Sequence, residues 1–228
     1  MSGLMKFFQI TSPPTVASPG STLPVMLLPG QVLLPHATIP FSRRKLKTLF
    51  CSDDSLEIPA RVLVLGGEGL QPFYSERSRM MGCVANVVQW TDSPEEYGVV
   101  LLRGAARASF RLLPGMSPQP QLAQVTIEPD QPVTSITTSF VELRQQLIAR
   151  LFRRSPELAI RELSSLLECE LSLGQLCDLA ATTLGLSLSQ QLEILDEPRV
   201  DRRCTALLQM SARRFAPPQP FLPDFGRN

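Results

Sequence analysis

Prolines interrupt the apolar segment 23–41 at four positions, and this segment limits the fold of the chain more than any other. Because proline fixes φ and has no backbone N–H, no long helix can pass through it. The stretches between the prolines are aliphatic or β-branched, which is typical of short strands joined at fixed corners. The segment therefore predicts the beginning of a β-domain. It holds His36, the single histidine of the chain.

Strand patterns continue up to Pro132. The aliphatic run 61–65 predicts a strand buried on both faces, and residues 82–90 predict another. Gly104 predicts a bulge or bend between two strand segments, 99–102 and 107–113, because glycine in a strand often marks such a site. Residues 121–127 alternate between apolar and polar, as in a half-buried strand. About six or seven strands are expected in total.

One short helix interrupts the strands after Ser42, a residue suited to the N-cap. Leu46, Leu49 and Phe50 have helical spacing and should face the core. The remaining positions are basic, and they are the candidate nucleic-acid patch of the chain: Arg43, Arg44, Lys45 and Lys47. A solvated helix face is the alternative, favoured by a formal net charge of only +1.

Residues 68–81 have the composition of a loop, yet they contain large apolar side chains. The candidate peptide-binding residues in this loop are Phe73, Tyr74, Met80 and Met81. Methionine and aromatic side chains in a loop are typical of an adaptable binding edge. The alternative is that they cover one end of a barrel.

Beyond Pro132 the apolar period becomes helical. Capping-box patterns begin at Ser139, Ser172 and Ser187, and Ser155 precedes a proline and a glutamate as an N-cap does. A further helix is predicted from Pro198 to Phe215. Leucines recur on one face of each helix, and Phe140 begins the first of these stripes. Gly185 should end the third helix as its C′ residue.

Composition excludes several functions. Five cysteines without a C-x-x-C pair, and one histidine, do not form a metal-ligand pattern. No side-chain spacing proposes a nucleophile with its base, so we expect no enzymatic activity and no cofactor. No apolar run is long enough to span a bilayer, so we expect a cytoplasmic protein that does not bind membranes.

Several motifs occur in a fixed order along the chain. They are L-P-V-M-L-L-P at 23–29 with V-L-L-P-H-A-T-I-P-F at 32–41, G-C-V-A-N-V at 82–87, L-R-G-A-A-R-A at 102–108, D-L-A-A-T-T at 178–183 with Q-Q-L-E-I-L at 190–195, and R-V-D-R-R at 199–203. This ordered set resembles the N-terminal domain of Lon proteases and covers about residues 22–212. No single motif is specific, whereas their order is.

The resemblance implies an α+β fold: a PUA-like β pseudo-barrel with one helix, followed by a C-terminal bundle of about four to five helices. We divide the chain into a flexible leader (1–21), a β-rich subdomain (22–132), a helical subdomain (133–215) and a proline-rich tail (216–228). The sequence has no G-x-x-x-x-G-K-[ST] loop for ATP and nothing that would hold the Ser–Lys pair of a Lon protease. It therefore resembles a stand-alone version of the domain. The resemblance also implies that His36 is a turn residue of the β frame.

The resemblance implies a non-catalytic module that binds unfolded polypeptide segments or specific proteins, as an adaptor or a holder of substrates. A Lon-type protease is one expected partner, and weak self-association is another expectation. The alternative is an RNA-binding PUA-like protein that uses residues 43–47, although the near-neutral charge disfavours nucleic acid.

Overall fold

The structure is a computed structural model. It describes residues 20–50, 58–67, 80–89, 98–114, 120–131, 140–154 and 171–214. The strands are β1 (Ser21–Pro29), β2 (Thr38–Ser42), β3 (Arg61–Gly67), β4 (Met80–Gln89), β5 (Val99–Leu112) and β6 (Leu122–Ile127). The helices are α1 (Arg43–Phe50), α2 (Phe140–Arg154), α3 (Leu173–Thr183), α4 (Leu188–Asp196) and α5 (Val200–Arg214).

The six strands form one mixed sheet in the order β2-β5-β4-β3-β1-β6. An additional β5–β6 pairing closes five of them into a barrel and leaves β2 outside the ring. β1 pairs in parallel with β3 and antiparallel with β6. β2 pairs with residues 99–103 of β5, whereas β6 pairs with residues 108–112 of the same strand. The predicted α+β fold, a barrel-like β-domain followed by helices, is confirmed.

Two apolar cores lie on opposite faces of the sheet. Val62 and Val64 of β3 belong to a large core shared with the helices, whereas Leu63 and Leu65 belong to a smaller core inside the barrel. This alternation explains why β3 is apolar at successive positions, since each side chain is buried on one face or the other. The prediction of a strand buried on both faces is confirmed.

β5 is one continuous strand that runs through Gly104, and the bulge predicted between the segments on either side of this glycine is confirmed. The register against β4 shifts beside Gly104, where Val84 pairs with Ala106 and Ala85 with Gly104. The bulge therefore lies within one strand rather than between two. Glycine is required there because a Cβ would lie 2.1 Å from the backbone oxygen of Leu34.

The capping boxes predicted at Ser172 and Ser187 are both formed. In each, the serine hydroxyl accepts the N3 backbone N–H, and the side chain of Gln175 or Gln190 accepts the N-cap N–H. Gly185 has a φ of 63°, as expected for the residue that ends α3. The capping residues Ser139 and Ser155 lie outside the described residues, as does the helix predicted after Ser155.

Three helical predictions need correction. α5 begins at Val200 rather than at Pro198, because the Pro198 carbonyl accepts a hydrogen bond from Gln131 and the chain is still extended there. Leu49 and Phe140 were expected in the core but are 49% and 44% exposed. In each of these helices the buried residues are spaced by four, such as Leu46 and Phe50 in α1. Leu49 and Phe140 therefore lie outside the row of buried side chains.

The predicted leader and the proline-rich tail lie mainly outside the described residues. Within the described part of the chain, no helix is both long and apolar enough to cross a bilayer.

Candidate functional site

An apolar surface is exposed where the sheet extends beyond the closed barrel. Val88 of β4 pairs with Leu101 of β5, which pairs in turn with Pro40 of β2. Val99 lies two residues before Leu101, so all four side chains share one face. Val88 and Val99 are each 43% exposed. We call this surface, formed by Pro40, Val88, Val99 and Leu101, the open face.

The open face continues the inner surface of the barrel. Val84 belongs to the core inside the barrel, and Val88 follows it by an even number of residues on the same strand. Because β6 pairs only with residues 108–112 of β5, none of the described strands closes over this face at residues 99–103. The side chains that would fill a closed barrel are therefore exposed. Exposed apolar clusters of this kind mark interaction sites.

The basic helix α1 adjoins the open face. Ser42, the last residue of β2, pairs with Val99 and accepts the Lys45 backbone N–H at 3.4 Å. The backbone N–H of Arg43 donates to the Gly98 carbonyl at 2.9 Å, which fixes the first turn of α1 at the start of β5. Leu46 and Phe50 anchor the opposite side of α1 in the core. The outward residues of α1 are exposed, namely Arg44, Lys45, Lys47, Thr48 and Leu49.

The free edge of β2 is poorly suited to the addition of another strand. Among the described strands, β2 pairs with β5 alone. The Gly104 N–H donates to the Ala37 carbonyl, and the Arg43 N–H donates to Gly98, so the odd-numbered residues of β2 face β5. Pro40 consequently lies at a position whose backbone would face outward, and it has no N–H to offer. A bound polypeptide is better accommodated across the open face than along this edge.

A cluster of buried charges joins the barrel to the helices. Arg107 of β5 contacts Asp178 of α3 through both Nη atoms, and its Nη1 also lies 3.2 Å from Oδ1 of Asp130, which follows β6. Arg203 of α5 places Nη2 at 2.8 Å from Asp130 Oδ2 and Nη1 at 3.5 Å from Asp178 Oδ1. We call Arg107, Asp130, Asp178 and Arg203 the ion cluster.

Burial of the ion cluster indicates a structural role. Arg107, Asp178 and Arg203 are 3%, 1% and 0% exposed, so no ligand reaches them in this conformation. Burial raises the pKa of Asp178 above its ordinary value, although Arg107 and Arg203 act in the opposite direction. Removal of either carboxylate would leave a buried arginine charge uncompensated, which is costly. The cluster therefore fixes how the helices dock on the barrel.

Comparison with known proteins identifies the family. Residues 22–213 match the family model of the ATP-dependent protease La (LON) substrate-binding domain. The chain belongs to this family. The match spans both the barrel and the helices that the ion cluster joins. A search of curated proteins found no match.

Solved structures with the LON N-terminal fold are similar to this chain. The N-terminal domain of a Lon protease from the Mycobacterium avium complex has 16% sequence identity and a TM-score of 0.55, and the alignment covers 84% of this chain and 98% of that one. A Lon N-terminal domain protein from Xanthomonas campestris has 20% identity and a TM-score of 0.53, with 83% and 98% covered. These likenesses establish the fold.

The predicted peptide-binding residues are only partly described. Phe73 and Tyr74 lie outside the described residues, and Met80 is the first residue of β4. Met81 is half-buried and pairs with Ser109 near the start of β4, whereas Val88 lies near its end. At about 3.3 Å per residue the two positions are roughly 23 Å apart, so Met81 does not join the open face. Peptide binding by Phe73, Tyr74, Met80 and Met81 stays a prediction.

His36 is a turn residue, as predicted. Its φ is 64°, and its backbone N–H donates to the Gly104 carbonyl at 2.9 Å. Of the cysteines that are described, Cys83, Cys177 and Cys204 are free and buried. Burial raises the pKa of Cys83 to about 12, which keeps this thiol protonated and unreactive. Within the described residues, no group of three side chains is arranged to hold a metal ion.

Sequence reasoning missed both the open face and the ion cluster. Arg107, Asp178 and Arg203 all lie in motifs that carried the LON resemblance, and this was the one available signal for the cluster. Their pairing was not visible, because each comes from a different element. Val88 and Val99 lie in apolar runs that look the same as runs buried on both faces.

Proposed function

We propose that the protein is a non-catalytic protein-binding module that holds extended polypeptide segments on the open face. The exposure of Val88 and Val99 side by side on this face is the observation that carries the proposal. Membership of the LON substrate-binding family supports the same kind of partner. Burial of four partly exposed apolar side chains contributes roughly 2–5 kcal/mol before the cost of association. Binding should therefore be weak and tolerant of sequence.

The test is a binding assay with a permanently unfolded protein, such as a reduced and alkylated one. The full chain is titrated with this probe, and amide chemical shifts map the contact while fluorescence anisotropy gives Kd. The double variant Val88→Ser and Val99→Ser should weaken binding at least about fivefold. Leu122→Ser is the matched control, since Leu122 is a strand residue with 39% exposure outside the open face.

Two results would contradict the proposal. One is an equal Kd for the double variant and for the Leu122→Ser control. The other is a chemical-shift map confined to surfaces away from β2, β4 and β5. Circular dichroism of each variant confirms that the fold is retained before the binding data are compared.

An adaptor role with a Lon-type protease is the finer form of the proposal. Affinity capture from the native cell, with the wild-type chain and the double variant as parallel baits, tests it. Enrichment of a Lon-type protease by both baits, with client proteins captured by the wild type alone, supports an adaptor. Client proteins without the protease support a role as a holder of substrates.

RNA binding by α1 is the second candidate, favoured by the exposure of Arg44, Lys45 and Lys47. Phosphate contacts by these side chains would make binding fall steeply with salt. A filter-binding assay with structured RNA at low salt tests it, and an absence of retained RNA eliminates it.

A further inference from the structure

The charged side chains on the barrel elements are all of one sign. The strands and α1 contain no aspartate or glutamate, and their charged residues are Arg43, Arg44, Lys45, Lys47, Arg61, Arg103, Arg107 and Arg111. The acidic residues of the first 132 positions lie either in the connections between these elements or, for Glu128 and Asp130, directly after β6. Arg107 is buried in the ion cluster, but a partner that contacts the exposed charged side chains of these elements meets only basic residues.

The basic side chains and the open face form one continuous surface. Val99 pairs with Ser42, and α1 begins at the next residue. On the other side of the open face, Arg103 pairs with Asn86, which pairs in turn with Arg61. Arg103 follows Leu101 by two positions in β5, and Asn86 precedes Val88 by two positions in β4. The row of Arg103, Asn86 and Arg61 therefore shares the face of Leu101 and Val88.

The apolar part of this surface is suited to a polypeptide more than to a nucleic acid. Its described residues are Val88, Val99, Leu101 and Pro40, with Leu49 exposed on α1. Bases bind single-strand sites by stacking on aromatic side chains, and none of these residues is aromatic. Aliphatic side chains beside cations fit a segment that carries both apolar and acidic residues.

We propose that the open face and α1 act together to select polypeptide segments whose apolar residues are flanked by aspartate or glutamate. This inference rests on the proposed function, because it specifies the class of segment that the open face holds. The apolar residues of the segment lie on the open face, and its carboxylates pair with Arg44, Lys45 and Lys47. Since these cations are exposed, their contribution is modest and screened by salt.

The experiment compares labelled peptides of equal length with the same central apolar sequence. The flanks are acidic in one, serine and glycine in the second, and lysine in the third. Fluorescence anisotropy with the full chain gives Kd at low and at high salt. At low salt the acidic peptide should bind about 5–30-fold more tightly than the neutral peptide, and high salt should remove most of this difference.

Charge reversal on α1 tests where the selection occurs. The triple variant Arg44→Glu, Lys45→Glu and Lys47→Glu should lose the preference for acidic flanks and bind the lysine-flanked peptide better than wild type does. The matched control reverses the same number of charges on α2 and α5, at Arg150, Arg153 and Arg202. This control should bind the three peptides with the same order of affinities as the wild type.

The outcomes separate this inference from the proposed function. If acidic and neutral peptides bind equally at low salt, selection by charge is wrong and the open face remains a binding site. If no peptide binds, the proposed function fails as well. If the triple variant keeps the preference for acidic flanks, α1 is not the selecting element. A single-stranded RNA of equal charge that displaces the acidic peptide at lower concentration would make α1 a nucleic-acid site and overturn the inference.

Discussion

Replacement of Gly174 by alanine tests the ion cluster, because two physical effects change the free energy of unfolding in opposite directions. Gly174 lies in the first turn of α3, where alanine is normally the better helix former by about 0.5–1 kcal/mol. In this protein, however, a Cβ at position 174 would lie 2.0 Å from Oδ2 of Asp130 and 3.1 Å from Nη2 of Arg203. The carboxylate of Asp130 must therefore move.

The magnitude follows from the contacts that this movement breaks. Asp130 lies 3.2 Å from Arg107 and 2.8 Å from Arg203, and its side chain is 38% exposed. The hydrogen bond from Arg107 contributes about 1.5–3 kcal/mol, the ion pair with Arg203 adds to it, and the partial exposure of Asp130 favours the lower end of this range. Asp178 still pairs with both arginines. After the gain in helix propensity, Gly174→Ala should lower the free energy of unfolding by about 1–3 kcal/mol.

A double-mutant cycle with Asp130→Ala isolates the cause. Urea unfolding followed by circular dichroism gives the free energy of unfolding of the wild type, both single variants and the double variant. In the Asp130→Ala background the added methyl group meets no carboxylate, so Gly174→Ala should be neutral or stabilising. If Gly174→Ala stabilises the wild type, or destabilises both backgrounds equally, the close contact with Asp130 is not the cause of the change in stability.

Three further predictions concern stability, and urea unfolding measures each. Gly104→Ala should cost more than about 2 kcal/mol, since the new Cβ would meet the Leu34 carbonyl, and a smaller loss would mean that the bulge yields easily. Ser172→Ala removes the N-cap acceptor of α3 and should cost about 1 kcal/mol, whereas no change would mean that the capping box contributes little. Because the pKa of Asp178 is raised in the folded state, folded protein keeps this proton to higher pH than unfolded protein. The stability of the wild type relative to Asp178→Asn should therefore fall as pH rises above about 4, and a rise would contradict the raised pKa.

The features that were predictable from the sequence depend on neighbouring residues. The capping boxes at Ser172 and Ser187 each need residues within one turn, and both are formed. The turn at His36 and the aliphatic strand β3, which is buried on both faces, were likewise predictable from short segments of sequence. In each case the physical cause is local, so the sequence pattern and the structure agree.

The features that were missed depend on which strands meet. Val88 is exposed because β6 closes the ring against residues 108–112 of β5 and not against 99–103. No property of the segment around Val88 contains that information. Arg107 and Asp178 lie 71 positions apart, so their pairing follows from the docking of α3 and not from any spacing. The family motifs contain these residues, but a motif does not state which of its members touch.

The pairing of the first and last barrel strands also has a consequence for folding during synthesis. β1 contacts β6, so the ring stays open until a further hundred or so residues have left the ribosome. At about 5–20 residues per second this takes roughly 5–20 seconds, during which the apolar side chains of β1 have no closed barrel to enter. The last member of the ion cluster, Arg203, arrives later still. The nascent chain therefore exposes the same kind of apolar surface that the finished protein is proposed to bind.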